Sequence, residues 1–323
     1  MAHILDECLE QIVKNFKTSE NKYEAHLKSY PMLHRMAAND EVIFEVFRRN
    51  MVNPKFFNKK RCTPDFQLTL LDEPEVFLFV NFFGPNKEKR TDYSYSTMHH
   101  HDDFLLSTIN AKGKGYSSLI FKQGYEIDKD NMTAKLDLEK FVLHKPSNIE
   151  FIDCHTAHAL FYPESMTMTY GLWSTHYPTA QAAKWKNNAF VQKNKAWIKK
   201  AINAVKFKVE SVGVTQYRED YFYPKDGQLV FLEGQVLPEE GKHFIQNFFN
   251  VAQQFLDFQD FKFLKELHQK IKEVGQEDNV DGTLEWIEKS IEKENIPRNY
   301  DSYNMYMPKR NVPIEEYQKI YNI

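Results

Sequence analysis

Cysteine is scarce in this sequence and what there is stands apart: Cys8, Cys62 and Cys154 are the only three in 323 residues. So few, so widely spaced, form neither a disulfide framework nor a zinc-ribbon pattern. A reducing compartment suits that usage, and a cytoplasmic location is the expectation. Long apolar runs are missing as well. The opening MAHILDECLEQIVKNF mixes acids with its apolar residues and has no small-residue cleavage site, so it reads as neither a signal peptide nor an anchor. No later stretch approaches the roughly 20 apolar residues of a membrane-spanning helix, so no membrane partner is expected. Internal repeats and low-complexity segments are absent too. Net charge is only −3, and the one strong bias is local: residues 179–208 carry eight lysines and no acid. A solvated helix face or an acidic neighbour explains such a run better than nucleic acid does.

Large rings are abundant. With 26 Phe, 17 Tyr and 42% apolar residues, the chain has the makeup of a globular protein with a sizeable core. Residues 1–65 read as a helical cover: Leu5, Leu9, Ile12, Val13 and Phe16 fall at helical spacing, and Asn39 before Asp40 and Glu41 is a capped helix start. From Phe66 the pattern turns extended. FQLTLL, EVFLFVNFF, DFLLSTIN, SSLIF, NIEFIDC and MTMTYGLW are strands separated by turns, without helices between them. This predicts an α+β chain whose residues 66–178 form an antiparallel sandwich or barrel. Residues 179–323 read as mostly helical, with Trp185, Ala189, Trp197, Ala201 and Val205 on one side of the lysine-rich helix, and further helices over Lys242 to Val274 and Gly282 to Asn295. One hairpin interrupts them, where TQYREDYFY and QLVFLEG flank the turn PKDG.

Seven of the twelve histidines lie between positions 99 and 176. At their centre is TMHHHDDFLLSTINAKGKG, which enters a strand and leaves it at Gly113. Successive side chains of a strand point to opposite faces, so His99, His101 and Asp103 share one face and His100 with Asp102 the other. A second segment, NIEFIDCHTAHALFYP, is a strand, a tight turn and then His158 at the start of the next strand. Inside a barrel that turn brings His158 beside the first pair. Neutral imidazoles suit Fe, Mn, Ni, Cu or Zn, and three of them leave positions open for a small-molecule substrate or O₂.

At these residues the chain resembles the cupin superfamily. With His99 and His101 as the HxH pair of the first cupin motif, the motif's Glu place falls on Leu106 and its Gly place on Gly113. In the second motif Asp153 takes the Pro place, His155 the Gly place and His158 the metal-binding histidine. A lost Glu is similar to the three-histidine branch, in which thiol dioxygenases and some ring- or diketone-cleaving dioxygenases bind Fe(II). The resemblance implies a β-barrel or jelly-roll core over residues 66–178 and a mononuclear Fe(II) dioxygenase. STHYP, with Ser174, His176 and Tyr177, is loosely similar to residues that support the iron-bound substrate in cysteine dioxygenases.

Alternatives stay open at several of these positions. His101, Asp103 and His158 would make the facial triad of a 2-oxoglutarate oxygenase. A ligand-binding or regulatory cupin without catalysis is a further reading. His155 is either a turn residue or a proton-transfer group, and His144, beside a Lys-Pro turn, reads as surface. His176 and Tyr177 are candidates to orient or protonate, and Arg90, Tyr116 and Tyr170 to bind substrate. The helical half could close the pocket, carry a partner site or form a homodimer.

Overall fold

Apolar stripes account for the first helices. In this computed structural model, residues 4–52, 66–84, 98, 100–101, 104–161, 163–175, 218–235, 244–255, 269, 283–297 and 312–323 are described. Helix α1 (Ile4–Thr18) buries Leu5, Cys8, Ile12 and Phe16, three or four residues apart. Helix α2 (Lys22–Ala37) starts after Asn21, whose side chain accepts a hydrogen bond from the Glu24 backbone N–H. Helix α3 (Asp40–Val52) begins at the expected cap, with the Asn39 side chain accepting from the Glu41 N–H at 3.0 Å.

The six apolar segments of the central region become β1 (Phe66–Glu73), β2 (Val76–Phe83), β3 (Phe104–Lys112), β4 (Ser117–Phe121), β8 (Ile149–Ile152) and β10 (Thr167–Thr175). Short strands β5 (Glu126–Asp128), β6 (Thr133–Lys135), β7 (Leu138–Leu143) and β9 (His158–Leu160) complete it. One antiparallel sheet runs in the order β1-β2-β10-β3-β8, and a smaller one β7-β4-β9. Strand β10 returns between β2 and β3, the crossing-over of a jelly roll, which is the kind of core that the sequence suggested. It is not the closed barrel that the sequence suggested. The two sheets are separate ladders, and an isolated bridge between Asn110 of β3 and Pro146, after β7, connects them, with the Ser147 N–H donating to the Asn110 carbonyl at 2.8 Å. Strands β8 and β9, of four and three residues, are too short to span both, and the turn between them carries the chain across.

Parity decides what each side of the large sheet meets. Val76, Leu78, Val80 and Phe82 of β2 and Met168, Tyr170 and Leu172 of β10 join the core under the helices. Phe77, Phe79, Phe104, Leu106 and Trp173 form a separate aromatic cluster on the inner face. Burial on both faces explains why VFLFVNFF is nearly continuous in apolar residues rather than alternating.

The hairpin β11 (Arg218–Lys225) and β12 (Gln228–Gln235) turns at Asp226 and Gly227, both with φ above zero. It pairs with β6 through Leu229 and Val230, and Phe222 exchanges two backbone hydrogen bonds with Met98. Helices α4 (Phe244–Phe255) and α5 (Thr283–Ile291) add Phe248, Phe249, Val251, Ala252 and Ile287 to the core under α1–α3. Helix α6 (Ile314–Tyr321) places Tyr317 in a second core with Leu119, Phe121, Ala159 and Phe161, on the outer side of the small sheet. The expected lysine-rich helix lies outside the described residues. No helix among those described is long and apolar enough to cross a membrane.

Candidate metal centre

The turn before β9 is built from its own sequence. The Asp153 carboxylate accepts from the Cys154 backbone N–H at 2.8 Å and from the Tyr23 hydroxyl at 2.7 Å, which ties the turn to α2. Burial first, and that bond with it, push the Tyr23 phenol above its usual range. Gln123 donates to the Cys154 carbonyl at 2.8 Å. His155 takes the left-handed position with φ of 56°, which His tolerates better than most residues. The chain then enters β9 with His158 facing inward, on the same side as Ile120, its register partner.

There His158 meets His101. Their ring centroids lie 4.6 Å apart at 74°, edge to face, and both residues are buried. The Nδ1 of His158 lies 3.1 Å from the Thr156 carbonyl oxygen. A carbonyl only accepts, so Nδ1 carries the proton and Nε2 is the nitrogen presented in the unprotonated form that a metal takes. Trp173 packs 4.8 Å from the His101 ring, with Phe79 and Phe104 against the indole. Among the described residues the convergence is of two imidazoles, and no three His, Cys, Asp or Glu side chains stand together. Two imidazoles, one held in the ligating tautomer and both in an apolar surround, fit part of the donor set of a transition metal. His99, Asp103, Arg90, His176 and Tyr177 lie outside the described residues.

His100 and His101 precede β3 rather than lying within a strand, yet their side chains diverge. His100 points the other way, its Nε2 2.8 Å from the Tyr125 hydroxyl. His155 goes with His100, at 6.0 Å between ring centroids, and is exposed; its backbone favours the turn reading over a role at His158. Tyr170 needs correction as a substrate-binding candidate. It is fully buried on the helix side of β10, in the core with Leu5, Cys8 and Met168, because its parity is opposite to that of Trp173. His144 needs correction as well, since it is buried rather than on the surface. Its Nε2 lies 2.7 Å from the Ser118 hydroxyl and its ring stacks on Tyr116 at 4.1 Å. Tyr116 therefore lies at the His144 end of the interior, wedged between His144 and Phe83.

Trp173, Tyr125 and the Thr156 carbonyl were not singled out from sequence, and neither was His26. His26 of α2 sits outside the sandwich, with Nδ1 2.7 Å from the Ser107 hydroxyl and Nε2 2.9 Å from that of Ser174. Burial, with a smaller contribution from Lys22, lowers its pKa to about 3. Burial does the same for His144, helped by Lys140. Both are neutral fasteners. His26 pins α2 to β3 and β10, next to Trp173.

No family model and no curated protein matches the chain. Among solved structures it is similar to a conserved double-stranded β-helix protein of Klebsiella pneumoniae, with 8% identity over 35% of this chain and 79% of that one and a TM-score of 0.22. The DMSP lyase DddQ of Ruegeria pomeroyi aligns at 12% identity over 38% of this chain and 50% of its own, with a TM-score of 0.23. KdgF from a Halomonas species aligns at 14% identity over 34% and 80%, with a TM-score of 0.22. The fold assignment stands on the strand order described above.

Proposed function

We propose that the chain is a mononuclear metal-dependent dioxygenase, holding Fe(II) with His99, His101 and His158 and acting with O₂ on a small molecule. The observation that supports this most directly is the meeting of His101, from the segment before β3, with His158 of β9 at 4.6 Å between ring centroids. An ion bound there supplies Lewis acidity and an O₂-activating centre. The Thr156 carbonyl keeps the His158 proton on Nδ1. Trp173 and Phe104 exclude water on the His101 side and offer an aromatic wall to the substrate. His176 and Tyr177 are the candidates to orient or protonate the substrate, and Arg90 to pair with a substrate carboxylate.

Elemental analysis of the purified protein, followed by His158→Ala, tests the reading. About one equivalent of iron in the wild type and little in the variant is the expected result. A variant that keeps the wild-type metal content overturns it. Manganese, nickel, copper or zinc in place of iron keeps the site and changes the chemistry. Asp103→Ala losing the metal while His99→Ala keeps it would select the 2-oxoglutarate triad. A metal-loaded protein that consumes no O₂ with thiols, diketones or aromatic diols would be a binding protein.

A further inference from the structure

The inner face of the large sheet is banded, and the bands follow the register. At the His101 end, Phe77, Trp173 and Leu106 lie side by side across β2, β10 and β3. Two residues further along each strand come Phe79, Gly171 and Thr108. Beyond them runs a wholly polar row over four strands, with Gln67 opposite Asn81, Asn81 opposite Thr169 and Thr169 opposite Asn110. At the same level the opposite face is apolar, with Val80, Met168, Tyr170 and Ile109 in the core under the helices.

The glycine makes the division. A Cβ on Gly171 would come within 2.3 Å of the Phe79 ring, so that ring lies flat across β10 only because residue 171 has no side chain. Phe79 thereby stands between the imidazole end and the polar row. On the far side the row is closed by Phe83, Tyr116 and the Tyr116–His144 stack.

Two atoms of the row have no hydrogen-bond partner among the described residues, Thr169 Oγ1 and Asn110 Oδ1, and both residues are 1% exposed. The Asn110 amide cannot be turned to relieve this, because its nitrogen donates to the His144 carbonyl at 3.0 Å. Its oxygen is therefore a fixed acceptor aimed into the sandwich. A valine and a leucine would fill these places without leaving polar atoms unmet. The side chains lining the row are neutral, a threonine, asparagines, a tyrosine, a serine and a buried neutral histidine, and the charges nearest them, Glu150 opposite Thr108 and Lys140 toward His144, form an ion pair with each other. A charged ligand group would have to compete with the Lys140–Glu150 pair for a counter-ion, while a donor such as a hydroxyl or an amide N–H finds an acceptor pair.

We propose that the interior contains, on the side of Phe79 away from His101, a second chamber in which Thr169 and Asn110 bind an uncharged, hydrogen-donating group of the substrate. Four residues of extended β10 separate Thr169 from Trp173, about 13 Å, so a molecule engaging both ends is elongated and its tail passes Phe79. The inference rests on the proposed function only in treating the interior as the place where substrate lies.

Benzamide and benzyl alcohol, with benzoate as the charged control, are suitable probes, titrated by NMR against metal-free and metal-loaded protein. Both neutral probes bind the wild type in either state, and benzoate binds much more weakly. Thr169→Val, which removes the hydroxyl at constant volume, weakens the neutral probes about fivefold, and Thr169→Ser does not. Equal binding to wild type and Thr169→Val overturns the proposal, as does preference for benzoate or a failure of both neutral probes to bind. Probe binding retained by His158→Ala, with metal lost, separates this chamber from the metal centre. Metal retained by Thr169→Val with the probes lost does so from the other side.

Discussion

Acid should weaken this protein well above the pH at which its carboxylates titrate. His26 and His144 are neutral and buried in the fold, each with a pKa lowered to about 3 from an ordinary 6.5. The unfolded chain takes up protons at both positions as pH falls through 6.5, and the folded chain does not. The stability they lend is therefore complete above pH 6.5 and drains away as pH falls toward 3. Each contributes a slope of about 1.4 kcal/mol per pH unit, or about 2 kcal/mol between pH 6.5 and pH 5. That figure depends on the unfolded value alone, as long as the folded pKa lies below 5. Together the two remove about 4 kcal/mol at pH 5, a large share of the 5 to 15 kcal/mol typical of a folded domain. Urea denaturation followed by circular dichroism at pH 7 and pH 5 measures the loss. The triple variant His26→Leu, Ser107→Ala, Ser174→Ala removes the imidazole together with both hydroxyls that bond it, and costs in addition only the long 3.5 Å bond from Ser107 to the half-buried Tyr30 hydroxyl. Its loss between the two pH values should be smaller than that of the wild type by about 2 kcal/mol. An identical loss in both proteins would refute the assignment of His26 as a buried neutral group.

Two substitutions on β10 probe its opposite faces. Gly171→Ala drives a methyl group into the Phe79 ring and should cost about 1 to 3 kcal/mol, lowering Tm by several degrees in thermal denaturation, with recovery on adding Phe79→Leu. An unchanged Tm would mean that Phe79 does not lie on residue 171. Tyr170→Phe removes a buried hydroxyl that has no partner among the described residues, so stability should hold or rise by about 1 kcal/mol. Metal content and turnover should not change, and loss of either would show that Tyr170 reaches the site after all.

The strands were legible because β2, β3 and β10 are long apolar segments with clear turns at their ends. Strands β5 to β7 were missed, since EIDKDNMTAKLDLEKFVL is charged and half exposed and shows little apolar alternation, although β5 and β6 pair with each other and β7 with nearby β4. His101 and His100 do diverge, but in the segment before β3 rather than by alternation along a strand. The alternation rule could not tell which parity of β10 faces inward, because Met168, Tyr170 and Leu172 are as apolar as Trp173, and only the helices packed behind the sheet decide. His144 looked exposed beside Lys145 and Pro146, yet that turn lets its ring fold back onto Tyr116 and Ser118. His26 gave no signal, since its two serine partners stand far along the chain on β3 and β10.

The pairing of Met98 with Phe222 fixes a sequence of events in the life of the chain. The segment that delivers His100 and His101 is bridged by a hairpin synthesised more than a hundred residues later. At about 5 to 20 residues per second, a ribosome leaves the histidine segment unanchored for several seconds after it emerges. A nascent chain would thus have all strands of its large sheet before the segment carrying His100 and His101 could be held by its bridge.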